Sequence, residues 1–276
     1  MSERSATARS NSMKKTMIVA ATLATVVPGA QAAPFVDFEF GGGMTFPSLD
    51  GGQIGDDASL TGSGGQANLD LEAQNGFYLG GRIGIPVVPD LKLKYERLML
   101  ENDNVQTTPF EIDGDQYSGQ GSALLDMSHL DTTLFYSLPD LAPGLDYYVD
   151  FGLNVRWLLG EFEFEDDTFG DVSQSFTGIP LPAGHLAGGV TLPVVDVELS
   201  GELNTLPLDG ISHTDWNVKA RWYAPLPLDW VGRLGIEGGY RNWSIDVDGE
   251  EFGLIDDDFK LEFETSGFFV GTAFTF

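Results

Sequence analysis

Serine and histidine are the side chains of this chain best suited to nucleophilic chemistry, because the sequence contains no cysteine. The three histidines are His129, His185 and His213, and two of them follow a serine directly, as Ser128-His129 and Ser212-His213. Neighbouring side chains on a strand point to opposite faces, so neither serine can place its hydroxyl against the adjacent imidazole. A serine hydrolase built on either pair is therefore disfavoured.

Carboxylates suggest a second chemistry, the binding of Ca²⁺ or Mg²⁺, because these ions prefer oxygen ligands. Two acidic groups are candidates: Asp246, Asp248 and Glu250, then Asp256, Asp257 and Asp258. Neither group has the full spacing of a known calcium loop. The chain carries 42 acids against 14 lysines and arginines, so a solvated acidic surface explains these clusters better than a specific metal site. We expect no cofactor, at most weak Ca²⁺ or Mg²⁺ binding at acidic outer segments, and no nucleic-acid partner, since the charge has the wrong sign.

The N-terminus has the pattern of a secretory signal peptide. A basic start at residues 13–15 precedes an apolar run at 16–27 and a small-x-small cleavage site at 30–32. Residues 1–12 are interpreted as an extension that begins at an alternative start codon. Cleavage after the small-x-small site leaves 33–276 as the mature chain, which we expect to form a single domain.

Strict alternation of apolar and polar residues predicts one strand at residues 145–159. Its apolar positions are Leu145, Tyr147, Val149, Phe151, Leu153, Val155, Trp157 and Leu159. Side chains two apart on a strand share a face, so this strand has one apolar and one polar face. Strands of soluble proteins usually have about 5–6 residues, whereas a tilted strand that crosses a bilayer needs about 9–11. The length therefore favours a strand that spans a membrane.

Nine further segments alternate in the same way, which gives ten strands in five hairpins. The others lie at 36–40, 77–85, 91–96, 129–136, 186–192, 195–203, 215–222, 233–241 and 268–276. Short proline-rich turns alternate with long acidic segments at 47–74, 101–121, 161–171, 206–213 and 246–258. An even strand count with tight turns on one side and long loops on the other is typical of a transmembrane β-barrel.

The predicted fold class is therefore all-β. We expect an antiparallel up-and-down barrel of about ten strands with short periplasmic turns and long acidic extracellular loops, because only helices and closed barrels satisfy every backbone group in hydrocarbon. Around Thr265 the apolar phase of the last strand shifts, which predicts a bulge or an extension of the strand above the membrane.

The charged residues give an independent test of this phasing. Basic residues that fall on the polar face of a strand are Arg82, Lys92, Lys94, Arg156, Lys219, Arg221, Arg233 and Arg241. Acids at equivalent positions are Asp37, Glu39, Glu96, Asp131, Asp146, Asp150, Asp196, Glu198, Glu202, Asp215 and Glu237. A cation on the lipid face near the midplane costs about 2–4 kcal/mol, so a barrel must turn these side chains inward. We therefore predict an ion-paired lumen of mixed charge.

Barrel size limits transport through this lumen. Barrels of about eight strands are filled by side chains, and porins of about 16–18 strands are open. Ten strands therefore allow at most a narrow, porin-like path. Because the inward acids outnumber the inward bases, any such channel would prefer cations.

The last seven residues resemble the C-terminal signature of outer-membrane barrels, with Gly271 followed by Phe274 and a final Phe276. The glycine pairs in 79–82 and 238–239 also resemble those of the proteobacterial outer-membrane proteins grouped by paired glycines. These resemblances imply a location in the outer membrane of a Gram-negative cell envelope, among its lipid and lipopolysaccharide. They also imply recognition of the last strand by the barrel-assembly machinery, but no activity.

Ten strands is also the number found in outer-membrane proteases of the omptin type, which place an acid pair and an Asp-His pair on the upper rim. The resemblance would assign these roles to Asp113 and Asp115 in the second outer segment and to His213 and Asp215 in the fourth, although the His/Asp order is reversed. A surface protease is thus the alternative function. The favoured function is a structural or interaction barrel, or a narrow cation-preferring channel.

Overall fold

The protein is all-β in the part of the chain that the structure describes. The computed structural model describes residues 37–55, 58–61, 67–84, 88–112, 115–138, 146–192, 194–208, 211–225, 232–248 and 260–276. The strands are β1 (Asp37–Ile54), β2 (Ala58–Ser59), β3 (Ala67–Asn68), β4 (Glu72–Ala73), β5 (Gly76–Gly84), β6 (Asp90–Arg97), β7 (Met99–Gln106), β8 (Phe110–Ile112), β9 (Asp115–Tyr117), β10 (Gln120–Asp126), β11 (His129–Ser137), β12 (Tyr147–Leu158), β13 (Glu161–Asp166), β14 (Gly170–Ser175), β15 (Pro180–Leu192), β16 (Val197–Leu208), β17 (Ile211–Tyr223), β18 (Arg233–Asp248) and β19 (Lys260–Thr275). Within these ranges no helix has the length and hydropathy needed to cross a membrane.

Ten of the strands close into one antiparallel barrel. Their order around the wall is β1, β5, β6, β11, β12, β15, β16, β17, β18 and β19, and β19 pairs back onto β1. The register of this closing pair runs from Glu39 opposite Thr275 to Ile54 opposite Leu261. Closure leaves the wall without a free edge, so its backbone groups are satisfied without water. The predicted ten-stranded up-and-down barrel is confirmed, and the strand predicted at 145–159 is β12.

The wall has two zones that differ in which face of each strand is apolar. In the lower zone, toward the tight turns, Phe268 and Val270 of β19 point outward and are more than half exposed. In the upper zone of the same strand, Leu261 and Phe263 point inward and are buried. The alternation continues unbroken between them, so the apolar face changes sides near Thr265. This is the shift that the sequence indicated, and it marks a strand that extends beyond the apolar zone.

Strand β1, which pairs with β19, has an irregularity at the same height. Its register against β19 shifts between Leu49 and Gly51, at the height of Thr265. A bulge at this level re-aims the following side chains, so that Ile54 at the end of β1 is buried inside the upper zone.

An apolar band surrounds the lower zone of the barrel. Exposed members of the band include Phe40, Met44, Leu134, Leu153, Leu186, Val218, Ile236, Phe268 and Val270. On β19 the band runs from Phe268 to Phe276, which at about 3.3 Å per residue and a tilt of about 40° spans roughly 20 Å. That height is close to the apolar band of about 25 Å found on outer-membrane barrels. The lower zone thus has the outer wall of an outer-membrane-type barrel.

A second sheet closes the upper end of the barrel. Its strand order is β14, β13, β10, β7 and β4, and β8 and β9 form a separate hairpin beside it. We call the segments 58–61, 67–73, 99–112, 115–126 and 161–176 the cap. Side chains of the cap and of the upper wall share one apolar core, whose members include Leu60, Leu69, Leu100, Phe110, Leu125, Phe162, Phe164, Trp243, Ile245 and Phe263. The upper mouth of the barrel is therefore filled by packed apolar side chains.

The prediction that the acidic segments 101–121 and 161–171 are loops was wrong. Both fold into the cap sheet, in which acids face outward and apolar residues face the core. In β13 the glutamates alternate with Phe162 and Phe164, and both phenylalanines are buried. This is the alternation of a strand with one wet face. The high proportion of acids made this segment resemble a loop, because the outward face of the strand is almost entirely acidic.

In the other three acidic segments, the barrel strands extend further than predicted, so the loops are shorter. Strand β1 continues to Ile54 within the segment 47–74, and β16 and β17 extend through most of 206–213. Strand β18 reaches Asp248, and the rest of the last segment, residues 249–258, lies outside the described residues.

Asp166 ties two turns of the cap together. Its carboxylate accepts hydrogen bonds from the backbone N–H groups of Ser118, Thr168 and Phe169, at 2.5, 2.7 and 2.9 Å, and from the Ser118 hydroxyl at 2.9 Å. Burial acts to raise the pKa of Asp166, but the N–H groups of Phe169, Ser118 and Thr168 outweigh it and hold the pKa below its ordinary value of 3.8. The ionised form of Asp166 therefore stabilises the cap.

We expect Asp166→Asn to loosen these turns. Hydrogen bonds to a charged group contribute about 1.5–3 kcal/mol, so amide exchange at Ser118, Thr168 and Phe169 should accelerate about tenfold or more. Because the folded-state pKa lies below the unfolded-state value, the stabilisation is complete above the unfolded-state pKa and is lost as the pH falls through the folded-state pKa. The exposed neighbour Asp167→Asn is the matched control. Equal protection in both variants at neutral pH would contradict this role of Asp166.

Candidate functional site

The lumen below the cap contains a cavity of about 520 Å³. At the tight-turn end its lining includes Asp37, Asp146 and Thr275, and beneath the cap it includes Leu98 and Trp243. Asp37 and Asp146 are exposed, whereas Leu98 and Trp243 are buried. The cavity therefore begins at the lower end of the barrel and ends under the apolar core of the cap.

Arg156 occupies the centre of the upper part of the lumen and is fully buried. It pairs across the β11–β12 ladder with Asp131, to which its Nε and Nη2 donate at 2.7 and 2.8 Å. The same guanidinium donates to Asp215 and lies 3.1 Å from Nε2 of His213 on β17. Two carboxylates thus compensate one buried cation, and the contact with Asp215 crosses the lumen from β12 to β17.

Arg241 extends this cluster to the opposite wall. Its Nε and Nη2 donate to Asp215 at 2.8 and 2.5 Å, and its Nη1 lies 2.5 Å from Glu96 on β6. Lys94 on the same strand lies 2.8 Å from Glu96. We call the connected set of Lys94, Glu96, Asp131, Arg156, Asp215 and Arg241 the upper network. Because it joins β6, β11, β12, β17 and β18, it connects opposite sides of the wall through the lumen.

A second cluster lies nearer the tight turns. Arg221 donates to both oxygens of Glu39 at 2.9 Å and to Glu237 at 2.8 and 2.9 Å. Lys219 lies 3.2 Å from Glu237, and the Tyr78 hydroxyl donates to the same carboxylate at 2.7 Å. These five residues form the lower network. It joins β1 and β5 to β17 and β18 around the closing seam of the barrel.

Two further cations of the cavity lining, Lys92 and Arg82, are paired with carboxylates. Lys92 on β6 reaches Glu202 on β16 at 2.5 Å, which is another contact across the lumen. Arg82 lies 2.8 Å from Asp90 and 3.4 Å from Asp150, with its guanidinium 4.6 Å from the centre of the Phe135 ring. Every lysine and arginine of the cavity lining is thus held by a carboxylate.

The structure brings most of the residues predicted for the lumen together. Arg82, Lys92, Lys94, Glu96, Asp131, Asp150, Arg156, Glu198, Lys219, Arg221, Glu237 and Arg241 occupy inward positions of the barrel strands. Arg233 lies instead at the lower mouth, where it is about half exposed, pairs with Asp196 at 3.3 Å and stacks 3.8 Å from the centre of the Tyr223 ring.

Sequence reasoning missed the tyrosines of the lumen. Tyr78, Tyr148 and Tyr223 all line the cavity. Each of them lies at a polar, inward position in the alternation of its strand, and this position could have identified it from the sequence. An aromatic residue in that phase faces the lumen and can donate its hydroxyl to an inward carboxylate, as Tyr78 does to Glu237 and Tyr223 does to Glu198 at 2.8 Å.

Two inward glycines leave space for aromatic rings on the inner wall. A Cβ atom on Gly189 would lie 2.6 Å from Cε1 of Tyr148, and one on Gly239 would lie 2.6 Å from Cζ of Phe269. Real Cβ atoms do not approach other atoms so closely, so each ring occupies space that only glycine leaves free. In the pairs 188–189 and 238–239 the second glycine therefore allows a ring to approach the backbone of the inner wall closely.

The predicted protease residues do not form an open rim site. His213 is fully buried and Asp215 is 3% exposed, and both lie under the cap within or beside the upper network. The carboxylate oxygens of Asp215 accept from Arg156 and Arg241. Asp113 lies outside the described residues, and Asp115 is the first residue of β9. The geometry does not favour peptide hydrolysis.

Among the described residues, no group of three or more carboxylate or histidine side chains is arranged to hold a metal ion. Of the acids suggested by the sequence, Asp246 lies on the outward face of β18 and is exposed. Glu250 and residues 256–258 lie outside the described ranges.

Comparisons with known proteins add little to this geometry. No protein-family model matches the chain, and no curated protein sequence matches it. Among solved structures the chain is similar to the translocator domain of autotransporter NalP from Neisseria meningitidis, with 13% sequence identity over 98% of this chain and 97% of that chain and a TM-score of 0.27. A similarity this low supports no functional argument. The outer-membrane-type barrel follows from the closed strand order and the outward apolar band, and membership of the paired-glycine group stays a prediction.

We expect Arg156→Met to destabilise the barrel by about 3–5 kcal/mol, because it leaves Asp131 buried without a cation, whereas Asp215 keeps Arg241. The free energy of unfolding is measured in urea by tryptophan fluorescence, with Trp243 as reporter since the guanidinium lies 4.6 Å from its ring centre. Arg156→Met combined with Asp131→Asn should recover part of the loss.

Arg233→Met is the control for this prediction. The pair between Arg233 and Asp196 is exposed at the lower mouth, so its loss should cost less than about 1 kcal/mol. Similar costs for Arg156→Met and Arg233→Met would contradict a structural role for the upper network.

Proposed function

We propose that this protein is an integral outer-membrane β-barrel with a structural or interaction role and a lumen that is closed in its resting state. The observation that carries the proposal is the filled upper end of the barrel. The cap and the upper wall share one apolar core, and the upper network crosses the lumen below it. An open channel needs a continuous water path, which neither layer provides.

Placement in the outer membrane is supported by the outer wall. The outward apolar band of the lower zone suits hydrocarbon, and the polar outward positions of the upper zone suit water. In β18, Ile236 and Tyr240 face outward in the lower zone, whereas Ser244 and Asp246 face outward above it. Short turns at the lower end fit the periplasmic side and the cap fits the outer side. The signal peptide belongs to the same proposal, and residues 1–36 lie outside the described residues.

Recognition by the barrel-assembly machinery is supported by the last strand. Phe274 and Phe276 face outward and their rings lie 5.5 and 5.6 Å from those of Phe40 and Phe38 on β1. The backbones of Phe276 and Phe38 exchange two hydrogen bonds, at 2.7 and 2.8 Å. Gly271 faces inward, where a Cβ atom would collide with the Tyr78 hydroxyl. The proposed assembly signal thus coincides with the strand that closes the barrel.

The cap offers an acidic surface to the outside. Burial and the neighbouring carboxylates of Glu161 and Glu165 raise the pKa of Glu163. The crowding of negative charge fits a surface that attracts cations weakly and without a fixed geometry. We therefore keep weak Ca²⁺ or Mg²⁺ binding, next to lipopolysaccharide, as part of the proposal.

A narrow cation-preferring channel is the second candidate function. It is favoured by the cavity of about 520 Å³ and by the exposed acids Asp37 and Asp146 at its lower end. Conduction would require the cap to move away from the upper wall.

The test is single-channel conductance of the refolded mature chain in a planar bilayer, with and without millimolar calcium. We expect no discrete conductance steps, because the cap core and the upper network block the path. Protection of the barrel from added protease confirms insertion, so that silence is not mistaken for failed insertion. Steady cation-selective steps from the unmodified protein would contradict the proposed closed state and support the channel.

A further inference from the structure

Glu198 differs from the other buried carboxylates of the cavity. It is 9% exposed, and the Tyr223 hydroxyl donates to its Oε2 at 2.8 Å. In the part of the chain that the structure describes, no ammonium or guanidinium group lies within ion-pair distance of Glu198, whereas the other buried and half-buried acids of the cavity each have a cation. Arg221 is its cross-strand neighbour but directs its guanidinium to Glu39 and Glu237.

An aromatic ring lies in the same part of the cavity. Tyr148 on β12, Gly189 on β15 and Ser200 on β16 form one cross-strand row, and Glu198 is two residues from Ser200 on the same inward face. Because Gly189 has no side chain, the Tyr148 ring extends over β15, with Cε1 and Cζ only 2.6 and 2.9 Å from where a Cβ atom of residue 189 would lie. The ring also lines the cavity, and β15, over which it extends, is the neighbour of β16, the strand that carries Glu198.

The two groups together define a chemical preference. A carboxylate buried without a cation is unfavourable, so Glu198 gains from a positive partner. An aromatic face attracts the same partner through its quadrupole. Ca²⁺ and similar ions need several oxygen ligands, and no such group is found among the described residues. An organic ammonium ion needs only one carboxylate, an aromatic face and room for its alkyl groups.

We propose that the lumen cavity binds a small organic ammonium ion, with its charged nitrogen at Glu198 and its alkyl groups on the Tyr148 ring. The cavity of about 520 Å³ has the size of ordinary ligand pockets, which hold about 300–1,000 Å³. The exposed acids Asp37 and Asp146 at the lower end would draw such a cation inward. In this site Gly189 leaves the space that the Tyr148 ring occupies.

The ammonium site goes beyond the proposed function, and each of the two proposals can be disproved without the other. Binding is measured on the folded barrel in detergent, so the result does not depend on whether the lumen conducts or in which membrane the protein resides.

The experiment is isothermal titration of the refolded mature chain with choline chloride. Its neutral isostere 3,3-dimethylbutan-1-ol and sodium chloride at equal ionic strength serve as reference titrants. We expect saturable heat with choline and none with either reference titrant. Absence of saturable binding of choline, or equal binding of the neutral alcohol, would overturn the proposal.

Variants locate the site within the lumen. Glu198→Gln should weaken choline binding by about tenfold or more, since a charged hydrogen-bond partner is lost. Tyr148→Leu should weaken it about three- to tenfold, and Gly189→Ala should act like Tyr148→Leu because it displaces the ring. Folding of each variant is checked by its heat-modifiable electrophoretic mobility.

Asp196→Asn is the matched control for these variants. It removes one negative charge two residues from Glu198, but at an exposed position that pairs with Arg233. Choline affinity should stay unchanged. Equal losses for Asp196→Asn and Glu198→Gln would show a general effect of charge and overturn the site. Unchanged affinity in folded Tyr148→Leu and Gly189→Ala would equally overturn the role of the ring.

Discussion

Pairing of charges inside the barrel is the constraint on which the rest of the structure depends. A wall that faces hydrocarbon cannot carry lysine or arginine on its outer surface, so these side chains turn into a lumen of limited size. Arg156, Arg221 and Arg241 each contact at least two carboxylates there. Because several of these contacts join strands that are not neighbours, the ion pairs hold opposite sides of the wall together.

The reversal of the apolar face shows where this constraint ends. In the lower zone of β19 the apolar side chains point outward, and above Thr265 they point inward to the cap core. One uninterrupted strand thus fits two environments. Because successive side chains alternate between its faces, apolar residues face outward in the lower zone and face the cap core in the upper zone. The cap follows from the same reversal, since an apolar inner surface above the membrane must be covered.

The sequence predicted the barrel well and its interior only in outline. Alternation identified the strand that became β12 and the inward phase of Arg156 and Arg221, because both follow from a period of two. It could not show that Arg156 binds Asp131 and Asp215 together, since that depends on contacts across the lumen. The cap was missed because a strand such as β13, with glutamates on one face, has the composition of a loop. The sequence also could not show that Gly189 leaves space for the Tyr148 ring, since that depends on a contact between neighbouring strands.

The most direct test of this account compares two tryptophans of the wall in single-tryptophan variants. Trp222 faces outward in the lower zone and is 45% exposed, whereas Trp243 faces inward under the cap and is fully buried. Each variant is refolded into bilayers that contain brominated lipids, and quenching of fluorescence is measured. We expect strong quenching of Trp222 and little quenching of Trp243. Equal quenching of both, or stronger quenching of Trp243, would contradict the assignment of the outer wall to lipid and of the lumen to a closed interior.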